Sequence, residues 1–206
     1  MTKGKSLAVV QVLGVFSLFV IYGGPEVYAQ ERPGKGSSIR AGVGYGLNEA
    51  NIEIGNGWVY SLGWQKDLGQ ENRLRVNPNL VFGLFSPSSS LYLNYPNQFY
   101  RSLTIRLNIH YDLIKFKTFS FVTTGGAFIS HSKGLIGPGL LTRRASGESR
   151  YFRFLYYGGN LSLGFRIDND DSPFAYELIP FNMHVGDKAF ILAYVMFAME
   201  IKLEGG

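Results

Sequence analysis

Hydrophobic side chains alternate with polar or small ones in one segment after another along this chain. The segment 102–113 is the clearest, because its odd-numbered residues are Leu, Ile or Tyr and its even-numbered residues are Ser, Thr, Arg, Asn, His and Asp. Successive side chains of a β-strand point to opposite faces, whereas a helix would distribute these charges around its circumference. The pattern therefore predicts a strand with one apolar and one polar face.

Seven further segments show this alternation or a variant of it. Each approaches or exceeds the roughly 9 to 11 residues that a tilted strand needs to cross a membrane. In chain order, the eight predicted strands are 38–46, 58–66, 73–85, 102–113, 118–130, 151–167, 174–185 and 190–203. Pro180 interrupts the seventh, and we expect a bulge there that switches the faces of the strand.

The connections between these segments alternate in length. Compact turns are predicted at 67–72, 114–117 and 168–173, and longer connections rich in Gly, Ser, Asn and Pro at 47–57, 86–98 and 131–150. The last outer connection, 186–189, is short. Bacterial outer-membrane barrels have even strand numbers, short periplasmic turns and longer outer loops. The sequence thus predicts an all-β fold, a closed antiparallel eight-stranded up-and-down transmembrane barrel in the outer membrane of a Gram-negative bacterium.

The composition agrees with strands that cross a membrane. Aromatic residues make up 15% of the chain and charged residues 17%. Only every second residue of a membrane strand faces lipid, so each span is half polar and no long apolar stretch is required. Closure of the sheet satisfies the backbone groups, which find no partner in lipid.

The first 29 residues are predicted to be a signal peptide. Lys3 and Lys5 precede an apolar run at 7–22, which is followed by Gly23, Gly24 and Pro25 and then by Val27-Tyr28-Ala29 before a cleavage site at Gln30. This is the order of a basic region, an apolar region and a cleavage site in exported proteins. We expect a signal peptide at 1–29, a short segment at 30–37, the barrel at 38–203 and a tail at 204–206, with a retained anchor as the alternative.

Composition also excludes several kinds of site. The chain has no cysteine, which excludes disulfides, thiolate metal sites and a lipid-modified N-terminal cysteine. The net charge of +5 is small and its basic residues are scattered, so nucleic acid is not expected as a partner. We predict no cofactor and no metal. The expected partners of a monomeric barrel are outer-membrane lipids, lipopolysaccharide and other outer-membrane proteins.

The chain resembles the small eight-stranded outer-membrane barrels grouped with the barrel domain of OmpA and with OmpX. The resemblance covers 38–203 and rests on the glycine-alternating segment 41–46, the strand count and the turn pattern. It implies an architecture but no particular role. Such chains commonly end on an aromatic residue, whereas this one ends with Leu203 and a short polar tail. We therefore expect the barrel-assembly machinery to recognise Phe197 or another signal.

An interior network of charges is expected. The inside of an eight-stranded barrel is just wide enough for side chains to fill it, so no large pore is predicted. Charges away from water are costly unless they are paired. The predicted interior residues are Arg40, Arg75, Arg106, His110, Asp112, Arg166, Glu200 and Lys202. The alternative is that these groups only solvate trapped water. His110 and Asp112 share one face, but a metal site would need further ligands.

Three aromatic residues of the second predicted strand share one face. Trp58, Tyr60 and Trp64 are interpreted as interfacial aromatics, which position a barrel in the membrane. A platform on which sugar rings stack is the alternative.

Two features suggest more specific chemistry. Ser130, His131 and Ser132 lie together and could belong to an acyl-transfer site of a lipid A-modifying enzyme, with Glu148 as the carboxylate. Because His131 is adjacent to both serines, it should point away from them along a strand.

The predicted loop 131–150 also contains Arg143 and Arg144, which could contact lipopolysaccharide phosphates. An ordinary solvated loop is the alternative.

The sequence therefore favours a non-enzymatic outer-membrane barrel with a structural or adhesion role, or a subunit of an outer-membrane complex. Alternation does not say which face is outside. A soluble periplasmic lipocalin-like barrel, with an apolar interior that binds a small ligand, thus remains a third class.

Overall fold

The computed structural model describes residues 36–50, 53–68, 73–86, 99–136, 150–169 and 171–203. Its strands are β1 Ser37–Ala50, β2 Glu53–Leu68, β3 Leu74–Ser86, β4 Phe99–Phe116, β5 Phe119–Ile136, β6 Arg150–Asp168, β7 Phe174–Gly186 and β8 Ile191–Leu203. Each strand pairs with its sequence neighbours in antiparallel fashion, and β8 pairs with β1. The predicted closed eight-stranded barrel is confirmed. Among the described residues, no helix is long and apolar enough to cross a membrane.

Several strands are longer than the alternation predicted. The sequence predicts a loop at 47–57, but β1 continues to Ala50 and β2 begins at Glu53. Likewise β5 continues to Ile136 instead of ending at Ser130. The composition of these segments predicted loops wrongly. Strands pair through backbone N–H and C=O groups, and glycine and asparagine supply these groups as well as other residues do.

The strands are staggered around the barrel. A path through paired residues that starts at Ser37 returns to β1 at Leu47, ten residues further along. The intermediate residues are Lys66, Val76, Ile109, Gly125, Leu161, Met183 and Ala193. Such a stagger accompanies tilted strands, and with eight strands it leaves an interior that side chains can fill.

The outer surface of the barrel is apolar and much of its interior is polar. On β4 the outward Leu103 and Ile105 are 49% and 62% exposed, whereas the inward Thr104 and Arg106 are at most 3% exposed. A soluble lipocalin-like barrel requires the reverse arrangement, because water would contact its outer face. That alternative was wrong, and the apolar outer face is the one that contacts lipid.

The register of β7 shifts next to Pro180. The shift against β8 lies between Ile179 and Asn182. Glu177 and Ile179 are buried in the interior before it, and Asn182 and His184 are buried there after it. Proline has no N–H to donate to the ladder and is therefore found at bulges. The predicted switch of faces is confirmed, and it brings both Glu177 and His184 inside.

A tight turn connects β7 to β8. Lys188 and Ala189 both have positive φ, at 51° and 58°, and the Phe190 N–H donates to the Asp187 carbonyl at 3.0 Å. Two central residues with positive φ are typical of a type I′ hairpin turn, in which Asn-Gly is preferred. Left-handed backbone is costly for a residue that has a Cβ atom.

Replacement of Ala189 with glycine should therefore stabilise the barrel. We expect Ala189→Gly to raise the free energy of unfolding by about 1 kcal/mol, because the left-handed conformation carries no steric cost without a Cβ atom. Urea unfolding in detergent micelles measures this change. The control is Ala193→Gly, the same change within β8, which should destabilise the protein. Destabilisation by both variants would contradict the interpretation of the turn.

Candidate functional site in the barrel interior

A layer of buried charges crosses the interior at the end of the barrel where the short turns lie. The Arg40 Nη2 atom is 2.6 Å from Glu177 Oε2, and the Arg40 Nε atom is 3.7 Å from Glu200 Oε1. The Arg166 Nη2 atom is 2.7 Å from Glu200 Oε2. Gln65 donates its side-chain amide to the same Glu200 oxygen at 3.1 Å. Two arginines and two glutamates therefore neutralise one another inside the barrel, and we call these four residues the charged layer.

Strand register explains this layer only in part. Arg40 lies opposite Glu200 across the β1–β8 ladder, and Arg166 lies opposite Glu177 across the β6–β7 ladder. The shortest ion pairs nevertheless join the other combinations, Arg40 with Glu177 and Arg166 with Glu200. The long arginine side chains reach past their ladder neighbours in the narrow interior. Four strands are thus tied together by electrostatics as well as by backbone hydrogen bonds.

A second pair lies on β3 and β4. Arg75 donates to Asp112, and both side chains are 1% exposed. His110 instead shares a 3.0 Å hydrogen bond, through Nδ1, with the Thr124 hydroxyl. His110 and Asp112 thus have different partners although they share the inner face of β4. Within the described part of the chain, no group of three His, Asp or Glu residues is placed to hold a metal ion.

Arg106 lies further along the interior and is held by neutral groups among the described residues. Its Nε donates to Asn79 Oδ1 at 3.1 Å, and its Nη1 donates to the Tyr194 hydroxyl at 2.7 Å. The same Nη1 is 3.1 Å from Nε2 of His184. His184 was not assigned to a face from sequence, because the position of the bulge in β7 decides it. A buried cation that donates to neutral acceptors fixes the positions of these side chains.

A layer of aromatic rings fills the interior towards the end where the long connections lie. Phe85 stacks on Tyr100 with ring centroids 5.2 Å apart, and Tyr100 meets the edge of Phe152 at 5.7 Å. Tyr156 and Phe190 are 4.8 Å apart. All five side chains are at most 4% exposed. We call these five residues the aromatic layer.

Sequence reasoning missed the aromatic layer because it assigned apolar side chains to the outer face. A signal was present in β6, where Phe152 and Tyr156 have the same parity as Asn160 and Ser162. The latter two were assigned inward, so the same alternation places the aromatic residues inside. Glu177 was also missed, because its face depends on the bulge that follows it.

The other predicted residues lie at the rim or on the outside. Lys202 is half-buried at the turn end, where its Nζ is 2.6 Å from Asp168 Oδ1. Trp58, Tyr60 and Trp64 are 53%, 43% and 42% exposed on the outer face, where a sheet that contacts lipid carries its aromatic residues. Arg143, Arg144, Glu148 and the predicted signal peptide lie outside the described residues.

Ser130, His131 and Ser132 do not form a catalytic group. Both serines are fully buried on the inner face, and Thr104 donates its hydroxyl to Ser130 at 2.7 Å. His131 lies on the outer face, where Arg153 Nε donates to its Nε2 at 2.9 Å. The histidine and the serines are therefore separated by the barrel wall, as the alternation along β5 requires.

Two solved structures share this architecture. Neisserial surface protein A matches with a TM-score of 0.56 and 9% identity, over 81% of this chain and 97% of that chain. The attachment invasion locus protein of Yersinia pestis, in complex with the heparin analogue sucrose octasulfate, matches with a TM-score of 0.53 and 11% identity, over 82% of this chain and 100% of that chain. This is the fold of the small eight-stranded outer-membrane barrels. The predicted resemblance to the OmpA- and OmpX-like barrels is thereby confirmed for the fold.

The likeness concerns the fold alone at these identities. No family model matches the chain, and no curated protein matches it in sequence. The role of this outer-membrane barrel therefore has to be argued from its own interior and surface.

The charged layer should be sensitive to loss of one carboxylate. We expect Glu200→Gln to lower the free energy of unfolding by about 3 kcal/mol, because it leaves Arg40 and Arg166 with an uncompensated buried charge. Urea unfolding in micelles measures the loss. The control is Glu49→Gln, the same change at an exposed position, which should alter stability by less than about 0.5 kcal/mol. Equal effects of the two variants would show that the layer does not depend on this charge.

Proposed function

We propose that this protein is a closed, non-enzymatic outer-membrane barrel that holds its outer connections at the cell surface for attachment or for assembly with other envelope proteins. It does not serve as a general pore. The observation that carries the proposal is the filled interior, in which a charged layer is followed by an aromatic layer.

The two layers obstruct solutes in different ways. Arg40 and Glu177 meet at 2.6 Å across the interior, so the charges are engaged with one another. Tyr156 and Phe190 are both completely buried and pack 4.8 Å apart, so the outer half is filled by rings. A barrel of eight strands has no further room for an aqueous channel beside such side chains.

The shape of the outer end supports a surface role. Along β6, pairing with β7 begins only at Gly158, whereas pairing with β5 begins at Arg150. The paired segments 130–136 and 150–156 therefore extend beyond the end of β7. This extension places Ile136 and Arg150, which the connection 137–149 joins, beyond the end of β7. The attachment protein of Yersinia pestis has the same fold, which supports attachment as one form of this role.

Planar-bilayer recording tests the closed interior. We expect the purified protein to show no conductance steps approaching those of a sixteen-stranded porin inserted under the same conditions, because larger barrels leave an aqueous channel and this one is filled. Porin-sized steps from the folded protein would overturn the closed-barrel proposal.

Single cysteines provide a control for the position of the seal, because the natural chain has none. Ser130 is fully buried and lies opposite Tyr156 in the β5–β6 ladder. Ser130→Cys should remain unlabelled by a membrane-impermeant maleimide on intact cells. Glu49→Cys, at an exposed position near the same end of the barrel, should react. Equal labelling would show that water-filled space reaches the aromatic layer.

Expression of the protein on the surface of a non-adherent bacterial host distinguishes a role in attachment from a role in assembly. If attachment is the role, the protein should increase binding of these cells to a heparin-coated surface. A variant in which Asn-Gly replaces residues 137–149 should abolish the increase while it keeps heat-modifiable gel mobility. Equal binding by cells with and without the protein would contradict attachment and favour assembly.

A further inference from the structure

Three basic side chains lie next to one another on the outside of the barrel. In the ladders of β4, β5 and β6, Arg101 pairs with Lys133, and Lys133 pairs with Arg153. All three point outward, since an adjacent residue on each strand, Ser102, Ser132 or Phe152, is buried on the inner face. The Cα atoms of laterally paired residues of neighbouring strands are about 5 Å apart, so the Cα atoms of the three basic residues lie within about 10 Å of one another. We call these three residues the basic belt.

The basic belt lies at one edge of the lipid-facing surface. Below it on β4 the outward residues are Leu103, Ile105, Leu107, Ile109 and Tyr111. The ten steps from Arg101 to Tyr111 span about 34 Å along the strand. At the usual tilt this becomes about 25 Å, which equals the height of an apolar band. The two longest connections, 87–98 and 137–149, join strands at this end. The basic belt therefore lies where the outer leaflet meets water.

The charges of the basic belt are not neutralised by the described residues. None of the ion pairs among the described residues includes Arg101, Lys133 or Arg153. Like charges directly opposite each other across a ladder destabilise a sheet. Arg153 donates its Nε to His131 at 2.9 Å, which holds the guanidinium on the outer face and leaves its two terminal amino groups for an external acceptor.

We propose that the basic belt binds the phosphates of lipopolysaccharide, through the phosphorylated sugar head of its lipid A. Arginine can form two parallel hydrogen bonds to a phosphate, and lysine supplies a compact positive charge. Leu103 and Leu155, on the outer face directly below the belt, are 49% and 54% exposed and can pack against acyl chains. Phe99 and Tyr151 lie directly above it, 55% and 61% exposed, where they can contact sugar rings.

Several cations in a row favour a head group with more than one phosphate. A phospholipid that carries a single phosphate engages one or two of the three side chains and leaves the rest uncompensated. A phosphorylated disaccharide can extend across β4, β5 and β6. This site lies on the barrel wall, and it does not depend on whether the interior is closed.

Native mass spectrometry of the detergent-solubilised full chain tests the site, with bisphosphorylated lipid A as the probe. We expect the double variant Arg101→Gln/Arg153→Gln to bind at least tenfold more weakly than the natural chain. The matched control is Lys66→Gln/Lys117→Gln, which removes two charges exposed near the opposite end of the barrel. It should bind within about twofold of the natural chain. Heat-modifiable mobility verifies that both variants are folded.

A comparison of head groups makes the result specific. The natural chain should bind monophosphorylated lipid A at least threefold more weakly than the bisphosphorylated form, and phosphatidylglycerol more weakly still. Undiminished lipid A binding by the folded double variant would overturn the proposal. Equal affinity for phosphatidylglycerol and bisphosphorylated lipid A would overturn it as well, because any anionic lipid would then suffice. Bilayer conductance is measured separately, so failure here leaves the closed-barrel proposal standing.

Discussion

The hydrocarbon of a membrane offers no hydrogen-bond partner to backbone N–H and C=O groups, and this constraint decides the architecture of the protein. A sheet in lipid can have no free edge, so β8 has to pair with β1. Closure with eight strands and a stagger of ten residues leaves a narrow interior. Whatever faces inward must then fill that space and find partners within it.

The charged layer is a consequence of that narrow interior. Arg40 lies between Glu177 and Glu200, and Arg166 also reaches Glu200. Buried ion pairs of this kind are costly to form and costly to break, so they specify one arrangement more than they add stability. The aromatic layer completes the filling with apolar side chains. Together the two layers support a closed barrel. The function therefore has to be sought on the outer surface.

The outer surface obeys the opposite rule, since charges are tolerated only outside the apolar band. Arg101, Lys133 and Arg153 lie at the edge of that band and form one cluster across three strands. Their charges face outward, whereas the arginines of the charged layer face other side chains. The same alternation along the chain thus places the charged layer inside, where its charges neutralise one another. It places the basic belt at the rim, where its charges can bind a ligand.

Much of the fold follows from the sequence, because the two-residue period of a strand is local and can be read without knowledge of the partners. Pro180 indicated the bulge in β7, and the two-residue period determined the strand number and which residues of a strand share a face. It could not determine which residues of different strands meet. Register depends on strand pairing around the whole barrel, and only the tertiary structure joined Arg40 to Glu177, brought Tyr156 onto Phe190, and aligned Arg101, Lys133 and Arg153 in one row.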